Sequence, residues 1–387
     1  MINERLPASK DWAVYHAPFQ FFNVRFDLYS DSAELLEPFN NIYKRFRLRC
    51  SAGPNRDNSF YVRTRRVGKT SPFILIGDQL FPVHCPEMLP SLTHMHIVNA
   101  VMNRVCSHFV LHGGVVSKDG QGVVITGPPS FGKTTLIIEL AQRGFKFLSD
   151  EFAAVNRQTG QIDPFPRCIG IRNGTKRLFD LLALEDVYSM RNIGPNDKWL
   201  CDVEDVYKGG LGESCKPHTI IFLQLDNSES KMTDSHLIDI ALMKEDKTIL
   251  DAFTGIDGVS LTKTMLGSGY ILYRFLVSKQ TGTGLEFLNI CEENSETIIY
   301  TERSKETPPV FDRSPTIKPA GGTGLILKLL KDMKNGAQDG QLYREFDGRV
   351  SPVLMELGRM LKDVRCYRLS VGNLKEMADL VCDIVEG

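Results

Sequence analysis

The residues from Gly122 to Glu151 constrain the fold of this chain more than any other part of its sequence. An apolar run, Val123-Val124-Ile125, leads into a glycine-containing loop that ends in Gly132-Lys133-Thr134, and apolar residues at helical spacing follow. A strand, a loop that matches G-x-x-x-x-G-K-[ST] and a helix, in this order, are typical of a phosphate-binding P-loop. The sequence therefore predicts an α/β fold with a phosphate site at this loop.

Each residue type in the loop has a physical task. Glycine lets backbone N–H groups close around phosphate oxygens, and the N-terminus of the following helix adds partial positive charge. We expect Lys133 to reach the β- and γ-phosphates of a nucleotide and the Thr134 hydroxyl to ligate Mg²⁺. The predicted nucleotide contacts are Gly127, Pro128, Pro129, Ser130, Phe131, Gly132, Lys133, Thr134 and Thr135.

A pair of acidic residues closes the same stretch. Phe145 to Ser149 predicts a short strand that ends at Asp150-Glu151. We expect this strand to return beside the P-loop strand, which would bring both carboxylates to the edge of the sheet where the phosphates bind. Phosphoryl transfer uses carboxylates to activate the attacking hydroxyl and to hold the metal. On spacing alone, a solvated strand end or a helix N-cap explains the pair equally well.

Residues 111–155 resemble the core of the HPr kinase/phosphorylase family and of its kinase-like relatives, such as the precursor-peptide serine kinases. The shared pattern is His112-Gly113 ahead of the P-loop, then the loop, then Arg143-Gly144, a strand and the acid pair. The resemblance implies a P-loop kinase core and a nucleotide-dependent kinase whose acceptor is a hydroxyl, foremost a Ser of a protein or peptide. It gives Asp150 the role of catalytic base, assisted by His112 and Lys133.

The resemblance also implies ATP or GTP and Mg²⁺ as cofactors, with Thr134, Glu151 and Asp150 as metal ligands. Two departures from the family pattern matter. Glu151 stands where the family usually has an aspartate, and Pro128 and Pro129 stiffen the loop and remove N–H donors. A Pro-Gly-Arg-Asn type segment, which serves phosphorylase chemistry in the family, is not found in the sequence, so phosphorylase activity and HPr as substrate are doubtful.

Two further segments offer candidate site residues. Arg167, which ends the proline-bounded run Asp163-Pro164-Phe165-Pro166, is a candidate phosphate or substrate contact. The apolar run from His218 to Leu225 predicts a strand that ends in Asp226 and resembles a Walker B strand, so Asp226 competes with the acid pair for the metal. A metal at Asp226 would favour a P-loop ATPase or a nucleotide switch. Kinase activity on a small-molecule alcohol is a third alternative.

The remaining patterns predict the organisation of the chain. We expect a small mixed α/β N-terminal domain over residues 1–90 and a P-loop kinase domain with C-terminal helices over residues 91–387. Phe19 to Tyr29 predicts a strand, His94-x-His96 falls in a helix with one polar face, and Ser235 to Phe253 gives mostly helical and mixed signals.

Composition limits the classes of partner. A chain of 387 residues with 42% hydrophobic and 24% charged residues can bury a sizeable core. Its formal net charge of −1 gives no general attraction to nucleic acid or to an anionic membrane, and no apolar run has membrane-spanning length. The nine cysteines lack a C-x-x-C pair and are expected to be reduced thiols. We therefore expect a cytoplasmic protein without nucleic-acid or membrane partners, and the oligomers of related enzymes make a homo-oligomer an open alternative.

Overall fold

The fold is given by a computed structural model, which describes most of the chain. The described residues are 10–49, 58–65, 71–83, 86–179, 188–190, 198–207, 210–225, 235–242, 244–266, 270–280, 282–294, 297–304, 311–337 and 340–387. Both helices and strands occur along these residues, so the predicted mixed α/β class is confirmed. Within the described ranges, no helix is both long enough and apolar enough to cross a bilayer.

The strands of the described residues form five sheets. In chain order they are β1 (Tyr15–Phe21), β2 (Val24–Ser30), β3 (Ser59–Arg63), β4 (Phe73–Ile76), β5 (Gln79–Pro82), β6 (His108–His112), β7 (Gly114–Lys118), β8 (Gln121–Thr126), β9 (Lys146–Ser149), β10 (Phe152–Asn156), β11 (Ile162–Asp163), β12 (Ile169–Ile171), β13 (Tyr188–Met190), β14 (Lys198–Cys201), β15 (Lys216–Gln224), β16 (Ser235–Leu242), β17 (Val259–Leu266), β18 (Ile271–Ser278), β19 (Ile298–Ser304), β20 (Ile317–Pro319) and β21 (Arg365–Ser370).

The helices lie between these strands and after them. They are α1 (Ala33–Ile42), α2 (Leu89–Met102), α3 (Lys133–Gln142), α4 (Asn173–Leu178), α5 (Val203–Val206), α6 (Lys247–Thr254), α7 (Thr283–Glu293), α8 (Gly322–Lys331), α9 (Gln341–Arg344), α10 (Val350–Met360) and α11 (Leu374–Glu386).

The N-terminal sheet has the order β1-β2-β3-β4-β5. The prediction of one strand over Phe19 to Tyr29 was wrong, because the chain reverses at Phe22-Asn23 and β1 pairs with β2 as a hairpin. Phe22 has a positive φ of 50°, which the apolar pattern of the two strands does not reveal. Helix α1 covers this sheet with Leu35, Leu36, Phe39 and Ile42, all buried.

The P-loop sheet has the order β20-β21-β15-β8-β7-β9. The prediction that β9 lies beside the P-loop strand β8 was wrong, because β7 lies between them. A tight turn at Asp119 (φ 51°) and Gly120 (φ 75°) joins β7 to β8, so these two strands pair as a hairpin. Both β8 and β9 run antiparallel to β7, which makes them parallel to each other. The carboxyl end of β9 therefore reaches the same edge of the sheet as the P-loop.

A separate antiparallel sheet, β17-β18-β16-β19, follows later in the chain. The patterns of Ser235 to Phe253 gave mostly helical and mixed signals; the helical part of this prediction was wrong over the strand β16 and right from Lys247, where α6 begins. The apolar residues of β16 form a short, nearly continuous run, and a run of that length fits a buried strand and a buried helix equally well. Phe253 of α6 and Phe287 of α7 pack on Phe275 of this sheet.

The hydrophobic core around α2 joins the N-terminal sheet to the rest of the chain. It includes Phe21 of β1 and Ile97 of α2 together with Phe152, Phe165 and Cys168. The domain boundary near residue 90 stays a prediction. Buried apolar side chains from both sides of this predicted boundary pack together in one core.

Candidate functional site

The P-loop is closely packed against the strand next to it. Gly127 has a φ of 148°, and a Cβ atom at this position would lie 2.8 Å from the backbone oxygen of Leu223 on β15. Gly132 has a φ of 82° and precedes α3, whose N-terminus has no side-chain cap. An uncapped helix N-terminus at the end of a glycine turn is a favourable place for phosphate oxygens. The strand, loop and helix predicted from the sequence are thus confirmed as local structure.

The lysine of the loop is engaged by the loop itself. Lys133 Nζ donates to the carbonyl oxygens of Gly127, at 2.7 Å, and Pro128, at 3.0 Å. Phosphate oxygens are stronger acceptors for an ammonium group than neutral carbonyls. The loop therefore has the residues for an anion site, and the lysine would exchange carbonyl oxygens for phosphate oxygens on binding.

Arg172 lies beside the loop, and no motif in the sequence marked it. Its Nη1 donates to Ser130 Oγ at 2.8 Å, a contact between residues 42 positions apart. Ser130 has a φ of 67°, a left-handed conformation that is uncommon for a residue with a side chain. A guanidinium group held here is suited to recognise phosphate oxygens.

The acid pair follows β9 at the same edge of the sheet. Asp150 is only 7% exposed, which excludes the interpretation as a solvated strand end. The backbone N–H of Gly170 donates to Asp150 Oδ2 at 3.2 Å. Asp150 Oδ1 is buried and has no hydrogen-bond partner among the described residues. A buried carboxylate oxygen without a hydrogen bond is costly, so Oδ1 is an acceptor that a bound ligand could satisfy.

Arg167 is a buried partner of both acids. It is 5% exposed, and its Nη2 forms an ion pair with Glu151 Oε2. Its Nε lies 3.9 Å from Asp150 Oδ1, which is longer than a hydrogen bond. The predicted role of Arg167 as a phosphate or substrate contact stays a prediction. In this structure the positive charge of its guanidinium group lies beside the negative charges of the two carboxylates.

Backbone contacts join His112 to the P-loop strand and to the acids. The carbonyl oxygen of His112 accepts a hydrogen bond from Thr126 Oγ1 at 2.7 Å, directly before the loop. The N–H of Gly113 donates to the carbonyl oxygen of Glu151 at 3.0 Å. His112 also lies opposite Phe152 in the pairing of β6 with β10. The structure therefore brings His112, the start of the loop and the acid pair into one connected region.

The residues of this region fit a magnesium ion that binds together with a nucleotide. The described residues hold no group of three or more His, Cys, Asp or Glu side chains suited to a metal. Mg²⁺ commonly uses only one or two carboxylates and completes its ligands with phosphates and water. Of the two predicted carboxylate ligands, Asp150 has an oxygen without a hydrogen-bond partner among the described residues, and Glu151 would have to share its carboxylate with Arg167.

The alternative metal ligand Asp226 lies outside the described residues. The predicted strand that precedes it is confirmed as β15, and this strand is the direct parallel neighbour of β8.

One comparison, with curated proteins, agrees with the resemblance noted in the sequence. No protein-family model matches the chain. The HPr kinase/phosphorylase of Listeria welshimeri is 22% identical over 220 residues, which cover 57% of this chain and 62% of the relative. The chain thus spans less than two thirds of the length of this curated relative. Among solved structures, the HPr(Ser) kinase/phosphatase of Coxiella burnetii matches with a TM-score of 0.21 and 16% identity, over 48% of this chain and 95% of that one.

The fold and the site define a mixed α/β protein with a P-loop and an acid pair at one edge of a sheet. Within that class, the chain is similar to an HPr kinase/phosphorylase, at 22% identity over 220 residues.

Proposed function

We propose that this protein is a nucleotide-dependent phosphotransferase that moves the γ-phosphoryl group of ATP or GTP to a hydroxyl. The observation that carries the proposal is Asp150 Oδ1, a buried carboxylate oxygen without a hydrogen-bond partner among the described residues. It belongs to the strand end that shares an edge of the sheet with the P-loop. A general base must have a lone pair available for the proton of the acceptor.

The proposed roles follow from the contacts of each side chain. Lys133 and the start of α3 stabilise negative charge on the transferred phosphoryl group. The N–H of Gly170 occupies Asp150 Oδ2, so Oδ1 is the oxygen that takes the proton of the hydroxyl. Thr134 and Glu151 would hold Mg²⁺, which would neutralise phosphate charge when bound. His112 assists Asp150 from the end of β6.

The acceptor that we favour is a Ser of a protein or peptide. The curated relative is named as a kinase and phosphorylase of HPr, which supports a protein acceptor. HPr itself is not proposed, because the sequence lacks the family segment that serves phosphorylase chemistry. A small-molecule alcohol is the alternative acceptor, and we propose neither a nucleic-acid nor a membrane partner.

Transfer of labelled phosphate tests the proposal. The purified protein is incubated with Mg²⁺ and γ-labelled ATP or GTP, and proteins and peptides encoded beside its gene are analysed by mass spectrometry for one added phosphate. Asp150→Asn should abolish transfer and leave nucleotide affinity within about threefold, because a base acts on the barrier. Lys133→Ala should weaken both binding and transfer.

A matched acid outside the site provides the control. Asp119 lies in the turn between β7 and β8 with a positive φ, which asparagine tolerates well, so Asp119→Asn should retain full transfer. Transfer that survives Asp150→Asn would remove Asp150 from the mechanism. Normal turnover of Lys133→Ala would remove the P-loop.

One observation favours a second function, that of a P-loop ATPase or nucleotide switch. Strand β15, which precedes Asp226, is the parallel neighbour of the P-loop strand, as a Walker B strand would be. An ATPase should hydrolyse ATP rapidly without any acceptor and should lose hydrolysis in Asp226→Asn. A kinase should turn over slowly until its acceptor is added.

A further inference from the structure

A line of polar contacts runs from the core of the N-terminal sheet to the acid pair. The hydroxyl of Tyr43, directly after α1, lies 2.6 Å from Nδ1 of His94 on α2. His94 Nε2 lies 2.8 Å from Nη1 of Arg167. Arg167 then pairs through Nη2 with Glu151. Four residues that are far apart in the sequence thus form one continuous chain of contacts.

The chemistry of arginine fixes the direction of this chain. A guanidinium group has donors and no acceptor, so His94 Nε2 must accept its hydrogen bond and carry no proton. The neutral imidazole then has its proton on Nδ1 and donates to the oxygen of Tyr43. Burial raises the pKa of Tyr43 above its ordinary value, so the phenol remains protonated. The chain is therefore made of neutral groups that end on one cation, Arg167.

Tyr43 is a rigid anchor for this chain. It is fully buried, and its ring contacts those of Phe19 and Phe21, with centroids 5.4 Å and 5.0 Å away. It also stacks on His94 at 5.7 Å with an interplanar angle of 23°. A side chain packed on several faces has one rotamer available, so its hydroxyl position is set by the N-terminal core.

The position of Arg167 decides whether Asp150 Oδ1 stays available. Its Nε lies 3.9 Å from that oxygen, and both atoms are buried without a hydrogen-bond partner in the described part of the chain. A shift of about 1 Å would close this gap to a charge-assisted hydrogen bond, which is stronger than one between neutral groups. The hydrogen bond from Arg167 Nη1 to His94 ties the guanidinium group to α2 and opposes that shift.

We propose that Tyr43 and His94 are positioning residues that keep Arg167 on Glu151 and away from Asp150 Oδ1. This inference rests on the proposed function of Asp150 as the base. It also gives the N-terminal sheet a task in the chemistry, because its core sets the place of Tyr43. Loss of either residue lets Arg167 occupy the oxygen that the acceptor hydroxyl needs.

Three variants and a matched control test the inference. Tyr43→Phe removes one oxygen atom and keeps the packing, and His94→Leu removes both ring nitrogens. Each should lower kcat roughly tenfold or more, because misplacing a reacting group by about 1 Å can cost up to a hundredfold in rate. The KM for MgATP should stay within about twofold, since no atom of the P-loop is changed. His94→Gln, whose side-chain oxygen can accept from Arg167, should recover most of the rate.

The control is His96→Leu, on the same helix, whose ring packs on Phe81 with centroids 4.3 Å apart. It should retain the rate of the unchanged protein. Rates are measured with the acceptor found by labelled transfer, and with water as the acceptor in slow MgATP hydrolysis. Thermal melting shows whether each variant is folded. If His94→Leu does not fold, the inference is tested with Tyr43→Phe alone.

The outcomes separate this inference from the proposed function. Equal rates for Tyr43→Phe, His94→Leu and His96→Leu would overturn the inference and leave the phosphotransferase intact. A loss that appears in KM as much as in kcat, or a His94→Gln variant as slow as His94→Leu, would also overturn it. Absence of any transfer or hydrolysis by the unchanged protein would refute the proposed function, and this inference with it.

Discussion

Replacing Gly127 by alanine tests how closely the P-loop is packed on β15. The new Cβ would lie 2.8 Å from the oxygen and 2.9 Å from the Cβ of Leu223, and 3.2 Å from its nitrogen. These atoms belong to a central strand that pairs on both sides, so they cannot move aside as a side-chain tip can. The loop itself must move.

Two costs add up in this variant. The φ of 148° at Gly127 belongs to a conformation that side chains avoid, at about 1 to 3 kcal/mol. Forcing an extra carbon into a packed region costs about 1 to 3 kcal/mol more. We therefore expect Gly127→Ala to lower the free energy of unfolding by about 4 kcal/mol. Gly120 also has a positive φ, 75°, but its Cβ would meet nothing within 4 Å, so Gly120→Ala should cost only about 1 to 2 kcal/mol.

Urea denaturation of the two variants measures the difference. The midpoint should fall further for Gly127→Ala than for Gly120→Ala at an unchanged slope. Titration with MgATP should show at least a tenfold weaker affinity for Gly127→Ala alone, because only there are the phosphate-binding N–H groups displaced. Equal losses of stability in the two variants would refute the close contact between the loop and β15. An unchanged affinity would refute the link between that contact and the phosphate site.

Three other perturbations probe the site and its support. Arg172→Ala removes the donor to Ser130 Oγ and should weaken MgATP binding roughly tenfold, measured by calorimetry, with little change in the melting temperature. Asn335→Ala leaves Val110 N–H and two carbonyl oxygens without their buried partner, and should lower the free energy of unfolding by about 3 kcal/mol or more in urea. Burial lowers the pKa of His108 below its ordinary 6.5 and outweighs the opposing pull of its carboxylate partner. In the folded protein His108 therefore resists protonation. Its contribution to stability is complete above pH 6.5, the ordinary pKa, and is lost as the pH falls through the lower pKa of the folded protein. Melting temperatures between about pH 7 and pH 5 should fall less steeply in His108→Gln than in the unchanged protein.

Local patterns predicted the parts of the structure that depend on neighbouring residues. The sequence predicted the P-loop strand β8, the helix α3 and the turn at Lys118-Asp119-Gly120. It could do so because the glycine positions and the apolar spacing that indicate them lie within short stretches of consecutive residues. The helix around His94 and His96 is confirmed as α2 for the same reason. Strand β9 was also predicted, but its neighbour was not. Which strand pairs with which is decided by packing between distant segments.

The surroundings of the acid pair could not be predicted from spacing. Arg167 was singled out for its place after two prolines, yet its contact with His94 joins residues 73 positions apart. The contact of Tyr43 with His94 spans 51 positions, and no residue pattern records it. A single sequence shows which side chains could form ion pairs, whereas burial and orientation decide which ones do. The roles of Asp150, Glu151 and His112 in catalysis stay predictions, and Asp150→Asn tests the first of them.

The aromatic core that crosses residue 90 has a consequence for protein engineering. The ring of Phe165 packs against those of Phe21, Phe22 and Phe46 from the N-terminal part and of Phe152 beside the acid pair. A fragment that begins at residue 91 would lack the rings of Phe21, Phe22 and Phe46, and would expose those of Phe152 and Phe165 to water. The first ninety residues therefore cannot be exchanged independently of the rest of the chain. A chimera that takes its N-terminal part from another relative must include a matching set of aromatic rings. Without them it will not fold stably enough for a change in acceptor preference to be measured.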